Sequence, residues 1–164
     1  VTGDSSNLNE YAAEAIRINR RLLINSHVEW LRSLQSSLSL EVEGVRISVF
    51  HGSPYQPLVD YIYPEEARQM AGGFFDDTGS DLLILGHTHV PYFYRFHEHV
   101  LLNPGSVGQP RDGDPRSSYM LVDVAEGKID VSHERVSYDI VEVASRMRQL
   151  GLPEMLSIRL FNGW

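Results

Sequence analysis

The chain has 164 residues, is 42% hydrophobic and 22% charged, carries a formal charge of -8 and contains no cysteine. That composition fits a soluble globular protein with a sizeable core. It excludes disulfides and thiolate-held metals, and it argues against an extended nucleic-acid-binding surface, which needs an excess of Lys and Arg. No apolar run approaches the roughly 20 residues of a membrane helix and there is no signal-peptide core, so a cytoplasmic protein without a membrane partner is expected.

The chain opens at Val1 with a polar stretch to Asn7, as a processed protein or the later part of a longer chain would. Tyr11, Ala15, Ile18 and Leu22 recur at helical spacing, with Asn7 or Asn9 available as N-cap. A second helix is predicted over Ser26 to Ser33, opened by a capping-box pattern at Ser26 and Glu29. Leu38 to Val42 and Val45 to Phe50 form a predicted hairpin across Glu43-Gly44. Pro64 opens a third helix, and Gly79 ends it before a strand at 81–85. Two more hairpins follow, Pro91 to Phe96 with His99 to Leu102, and Tyr119 to Val124 with Lys128 to Val136. A Gly/Pro/Asp-rich loop from Asn103 to Ser117 joins them. Tyr138 to Leu150 reads as a helix, and a short helix with a frayed tail closes the chain. Mixed helix and strand patterns with several hairpins indicate an α/β or α+β layered domain.

Two apolar strands end in histidine: Ile47 to Phe50 runs into His51-Gly-Ser-Pro, and Leu82 to Leu85 runs into Gly86-His87-Thr88-His89. Ligands gather at the carboxyl ends of buried strands in α/β sheets, so His51, His87 and His89 are the candidate metal ligands. On a strand, His87 and His89 would lie about 6.6 Å apart on one face, close enough to share one metal or to reach two that are roughly 3.5–4 Å apart. A second His-x-His, His97 to His99, falls where a hairpin tip belongs and reads as an exposed turn. His133 reads as surface and His27 as part of a helix's first turn. In the loop after Asn103, glycines and a serine could offer backbone N–H groups to an anion, and Arg111 is the candidate phosphate contact. Glu65-Glu66 and Asp76-Asp77 read as helix-surface charge. No nucleophile elbow, Walker loop or dinucleotide fingerprint competes.

His51-Gly-Ser-Pro, Gly86-His-Thr-His89 and Asn103-Pro-Gly-Ser-Val, in that order, closely resemble the later motifs of calcineurin-like metallophosphoesterases. The closest likeness is to the small single-domain bacterial and archaeal phosphodiesterases, and the segments from Tyr138 and Gly151 extend it. The resemblance implies a four-layer α/β/β/α sandwich, here without its N-terminal portion, with residues 1–164 as the C-terminal portion of one domain. It also implies two divalent metal ions (Mn, Ni, Fe, Co or Zn), with His51 and His87 on one and His89 on the other. The family's bridging Asp, its Asp-x-His pair and the Asn and acid His of its Gly-Asn-His motif would lie upstream of Val1. No catalytic acid is therefore expected in this chain, and these residues in isolation are expected to be inactive. The implied reaction is attack on phosphorus by a metal-activated hydroxide in a small or nucleotide-like phosphate ester, phosphodiesters first. The oligomeric state stays open, including a homo-oligomer. A non-catalytic scaffold or protein-docking module on the same fold is the alternative, and an unrelated mononuclear hydrolase is a third.

Overall fold

The computed structural model describes residues 9–164. Its elements are α1 (Glu10–Leu22), α2 (Asn25–Ser33), β1 (Ser37–Val42), β2 (Val45–Phe50), α3 (Pro64–Thr78) and β3 (Leu82–Ile84). They are followed by β4 (Tyr92–Phe96), β5 (His99–Asn103), β6 (Ser117–Ala125), β7 (Lys128–Val136), α4 (Ile140–Gln149) and α5 (Glu154–Asn162). The described residues form two compact units, one of 9–35 with Tyr138–Asn162, the other of Ser36–Ser137 with Gly163–Trp164. No described helix is long and apolar enough to cross a membrane.

The helical unit follows its sequence signals closely, with one exception. Asn9 caps α1, its side chain accepting from the Ala12 amide at 2.9 Å, while Asn7 lies outside the described residues. Asp139 does the same for α4 through the Glu142 amide at 2.8 Å, and α4 packs on α5. The capping box predicted at Ser26 and Glu29 does not form. Helix α2 begins one residue earlier, with Ile24 at the N-cap and no side-chain cap, so Ser26 already lies inside the first turn. A capping carboxylate stands instead at α3, where Glu66 accepts from the Tyr63 amide at 2.9 Å. Glu66 is therefore a capping group as well as surface charge.

The second unit is built on a mixed five-stranded sheet in the order β1-β2-β3-β5-β4. The β1/β2 and β4/β5 pairs are antiparallel, whereas β2/β3 and β3/β5 run parallel. Leu82-Leu-Ile-Leu85 and Val100-Leu-Leu102 read as continuous apolar runs because both faces of the central strands are covered. On one face Leu83, Leu85 and Leu101 pack with Ala67, Ala71, Phe74 and Phe75 of α3. On the other, Leu82, Val100 and Leu102 join Val45 and Ile47, and meet Ile129, Met120, Val122 and Val131 of the two-stranded β6/β7 sheet. Helix, sheet and sheet account for three of the four layers expected.

The turns follow local chemistry. Glu43 and Gly44 both adopt positive φ, at 47° and 79°, the pattern of a two-residue hairpin turn matched to strand twist. Gly79 ends α3 in the left-handed region at φ 63°. At the start of β3, Asp81 takes a two-pronged contact from Arg46, with Nη2 at 2.9 Å and Nε at 3.1 Å, and also accepts from the Arg46 amide. This contact fastens β2 to β3 at the end opposite the histidines.

Two measurements test this frame. Leu83, fully buried between α3 and the sheet, should cost about 2–5 kcal/mol on replacement by alanine, read as a lower urea midpoint at unchanged m-value. The Arg46 guanidinium holds the Asp81 carboxyl below the usual carboxylate range. A carboxyl held below its unfolded value contributes stability that is complete above that value and is lost as pH falls through the folded one. Between about pH 6 and pH 3 the urea midpoint of the wild type should therefore fall more than that of Asp81→Asn.

Candidate metal centre

Parallel pairing brings the candidate residues together. In the register Val49↔Ile84↔Leu102, the strands β2, β3 and β5 finish at one edge of the sheet, and the chain leaves them as His51, Gly86-His87-Thr88-His89 and Asn103. The ladder continues past the strand ends, with the Leu85 amide donating to the Leu102 carbonyl at 2.9 Å and the Gly86 amide to the His51 carbonyl at 3.0 Å. A side chain at Gly86 would stand 3.2 Å from that carbonyl.

His51 and His87 meet with ring centroids 4.3 Å apart. His89 donates through Nδ1 to the Gln109 carbonyl at 2.7 Å. That bond fixes the tautomer and leaves the Nε2 lone pair free for a ligand. Partial burial pushes all three imidazoles below their ordinary range. Mutual repulsion with His51 and His89, and then the Arg111 charge, lower His87 further, and Arg111 also lowers His89. The neutral, metal-accepting form is favoured throughout.

The local backbone differs from the strand on which the His-x-His spacing was considered. His87 and His89 both adopt left-handed φ, 66° and 61°, in a tight turn beyond β3. The Thr88 amide closes back on the Gly86 carbonyl at 2.7 Å, a γ-turn bond with His87 at its centre in the strained hand. Such non-glycine conformations cost on the order of 1–3 kcal/mol each and persist only where the surroundings enforce them.

Asn103 enforces them. Its fully buried amide donates to the Gly86 carbonyl at 2.8 Å and to Thr88 Oγ1 at 3.1 Å, and its oxygen accepts from the Gly105 amide at 2.9 Å. One side chain thus brackets His87 on both sides. The motif was legible as a turn; its role as a clasp was not. An amide at the end of an apolar strand, followed by Pro-Gly, was the available signal, because a buried Asn must find partners for both ends of its side chain.

The segment after His51 is locked in a similar way. Buried Ser53 donates to Asp60 at 2.5 Å and accepts from the Tyr55 and Gln56 amides. Gly52 leaves no room for a side chain, since a Cβ would sit 2.8 Å from the Asp60 carbonyl. Tyr61, which the sequence reading passed over, lies against His87 with centroids 3.8 Å apart.

Arg111 reaches the same place, its amide donating to the His89 carbonyl at 3.1 Å. Among the described residues no carboxylate pairs with its guanidinium: neighbouring Asp112 is taken by Arg135 and Asp114 by Arg116. The anion cradle expected from the loop's backbone is reduced, because the Gly105 amide binds Asn103 and the Gln109 amide binds Ser106 Oγ at 2.9 Å.

Of the remaining histidines, His27 sits in the first turn of α2. His133 is exposed, with Nε2 2.7 Å from Ser118 Oγ. His97 occupies the exposed β4/β5 turn, but His99 does not share it. It begins β5 half-buried, donates to the Ser80 carbonyl at 3.1 Å and stacks on Phe75. Asp77 accepts from the Tyr55 hydroxyl at 2.8 Å, so it too does more than face solvent.

The donor chemistry suits a divalent cation of borderline hardness. The set is not closed, however: among the described residues no three or more His, Asp or Glu side chains are grouped so as to hold a metal by themselves. Imidazoles are supplied; a charge-balancing carboxylate beside them is not.

Residues 2–127 match the calcineurin-like phosphoesterase superfamily domain. An uncharacterized protein of Methanocaldococcus jannaschii is 32% identical over 94% of this chain and 67% of its own length. A probable metallophosphoesterase of Methanothermobacter thermautotrophicus is 36% identical over 55% of this chain and 46% of its own. The crystal structure of a metallophosphoesterase from Sphaerobacter thermophilus superposes with a TM-score of 0.75 at 33% identity, covering 88% of this chain and 64% of that one. A hypothetical protein from Pyrococcus horikoshii shares the fold, with a TM-score of 0.75 at 18% identity over 99% of this chain and 68% of its own. The chain thus spans about two thirds or less of the length of these relatives.

Replacing Asn103 by alanine strands the Gly105 amide and removes one donor each from the Gly86 carbonyl and Thr88 Oγ1. It should destabilise by about 1–3 kcal/mol. Asn103→Asp, which loses both donors and faces the Gly86 carbonyl with a carboxylate, should be worse in the same denaturation assay.

Proposed function

The chain belongs to the calcineurin-like phosphoesterase superfamily, and from that premise we propose that the protein carrying it is a metal-dependent phosphodiesterase acting on small or nucleotide-like esters. The observation that carries this reading is the ring contact of His51 with His87 at one sheet edge, with neutral-favoured His89 following in the same turn and Arg111 without a carboxylate partner among the described residues. The family generally works with divalent cations. His51 and His87 would hold one cation and His89 the other, with manganese the first to test. Such cations, when bound, lower the pKa of the attacking water and neutralise the phosphoryl oxygens.

The chain's own groups then have separate tasks. The Gln109 carbonyl keeps the His89 Nε2 lone pair turned to the site. Asn103 holds His87 and His89 in a strained geometry that would otherwise relax. Arg111 offers a fork of donors to a non-bridging phosphoryl oxygen, a charge-assisted contact that strengthens as charge develops there. Neutral imidazoles cannot balance two divalent cations, so carboxylate donors must complete the set.

With bis(p-nitrophenyl) phosphate as the diester and p-nitrophenyl phosphate as the monoester, activity should vanish on chelation and return with manganese. His89→Ala should lower kcat/KM by about 10²-fold or more, since even outer partners of metal ligands are worth 10–100-fold. Arg111→Ala should cost about 10–10²-fold, corresponding to one charge-assisted hydrogen bond. Full activity after chelation would defeat the metal reading; a preference for the monoester would defeat only the diesterase assignment.

A further inference from the structure

The loop from Gly52 to Tyr63 is rigid yet displays apolar side chains. Tyr55, Leu58, Val59, Tyr61 and Tyr63 keep 52%, 64%, 63%, 48% and 46% of their surfaces exposed. Single exposed apolar residues are ordinary, but five within nine positions form a patch that calls for an explanation. Flexibility does not supply it. The Gly52 amide donates to the Pro57 carbonyl at 2.6 Å, Asp60 closes on Gln56, Ser53 ties three partners together, and Tyr55 is anchored to Asp77. The wall is therefore preorganised, which lowers the entropy lost when something binds to it.

Its position narrows the occupant. The Tyr61 ring lies against His87 at 3.8 Å, and Tyr63 runs nearly parallel to Tyr61, 15° apart with centroids at 6.4 Å. Asp60, Asp77 and Glu66, the carboxylates that bond to this loop among the described residues, are occupied by Ser53, the Tyr55 hydroxyl and the Tyr63 amide. What faces outward is thus aromatic and aliphatic, directly beside His87.

We propose that this wall, centred on Tyr61, is the subsite for a planar aromatic substituent of the phosphate ester, an aryl group or a nucleobase. The proposal rests on the phosphoesterase reading above, because it places the phosphoryl group at the histidines and Arg111. A substituent one ester linkage away from that position meets Tyr61 first. A ring gains there from stacking whatever its edge pattern, whereas an alkyl group gains only area. Tyr61 is accordingly a specificity-determining residue that touches the substrate and not the reacting atoms.

Calorimetric titration of the manganese-loaded protein with phenylphosphonate and methylphosphonate, neither of which is hydrolysed, tests this directly. Phenylphosphonate should bind about tenfold more tightly, the scale of one stacking contact. Tyr61→Phe should keep that ratio, and Tyr61→Ala should bring it to about one. Should Tyr61→Ala prove unfolded by circular dichroism, Tyr63→Ala decides, with a ratio clearly below that of the wild type expected. Equal binding of both phosphonates by the wild type, or a ratio untouched by these substitutions, overturns the aromatic subsite and leaves the phosphoesterase reading standing. Binding of neither phosphonate, together with no ester hydrolysis, overturns both.

Discussion

Parallel pairing of β2, β3 and β5 is the constraint from which the rest follows. Parallel strands end on the same side of a sheet, so three segments far apart in sequence deliver His51, His87 with His89, and Asn103 to one edge. Such pairing needs a crossover and cover on both faces. Helix α3 supplies the β2-to-β3 crossover and covers one face, while β6/β7 cover the other. The apolar character of Leu82 to Leu85 on both faces is thus part of what places the histidines. The Arg46–Asp81 contact secures the opposite end of the same strands.

The edge itself is held under strain. Two non-glycine left-handed positions separated by one threonine are unfavourable for any chain. They survive because Asn103 satisfies the groups on either side of His87 from within the core. The amide is suited to this by carrying donors and an acceptor on one rigid plane. Ser53 and Gly52 do comparable work on the His51 side, where backbone segments approach too closely for a side chain. Candidate ligand positions are thus set by buried polar groups whose partners all lie in neighbouring loops.

Electrostatics at this edge runs against the chain as a whole. The sequence is acidic, yet the site gathers imidazoles and an arginine, and the nearby aspartates are drawn off by Arg116 and Arg135. A local field favourable to an anion can therefore exist on a protein of negative net charge. Burial first, and then the neighbouring charges, shift His87 and His89 toward the neutral form, which favours cation binding.

By sequence alone, the element types, the two histidine-tipped strands and the family-like order of motifs were determined, because strand hydrophobicity, turn residues and short spacings are local properties. The Glu43-Gly44 turn, the Pro64 start and the Gly79 stop of α3 were legible for the same reason. The Ser26 capping box was not, since a helix start one residue earlier is indifferent to the pattern that suggested it. Nor was His99, whose partners Ser80 and Phe75 come from the end of another element. Only the tertiary structure decided that His87 and His89 sit in a strained turn and not on a strand, that Asn103 clasps it, that Tyr61 lies on His87 and that no carboxylate among the described residues pairs with Arg111. Each of these depends on which distant groups the parallel register brings within hydrogen-bonding or van der Waals range, and spacing along a chain carries no record of that.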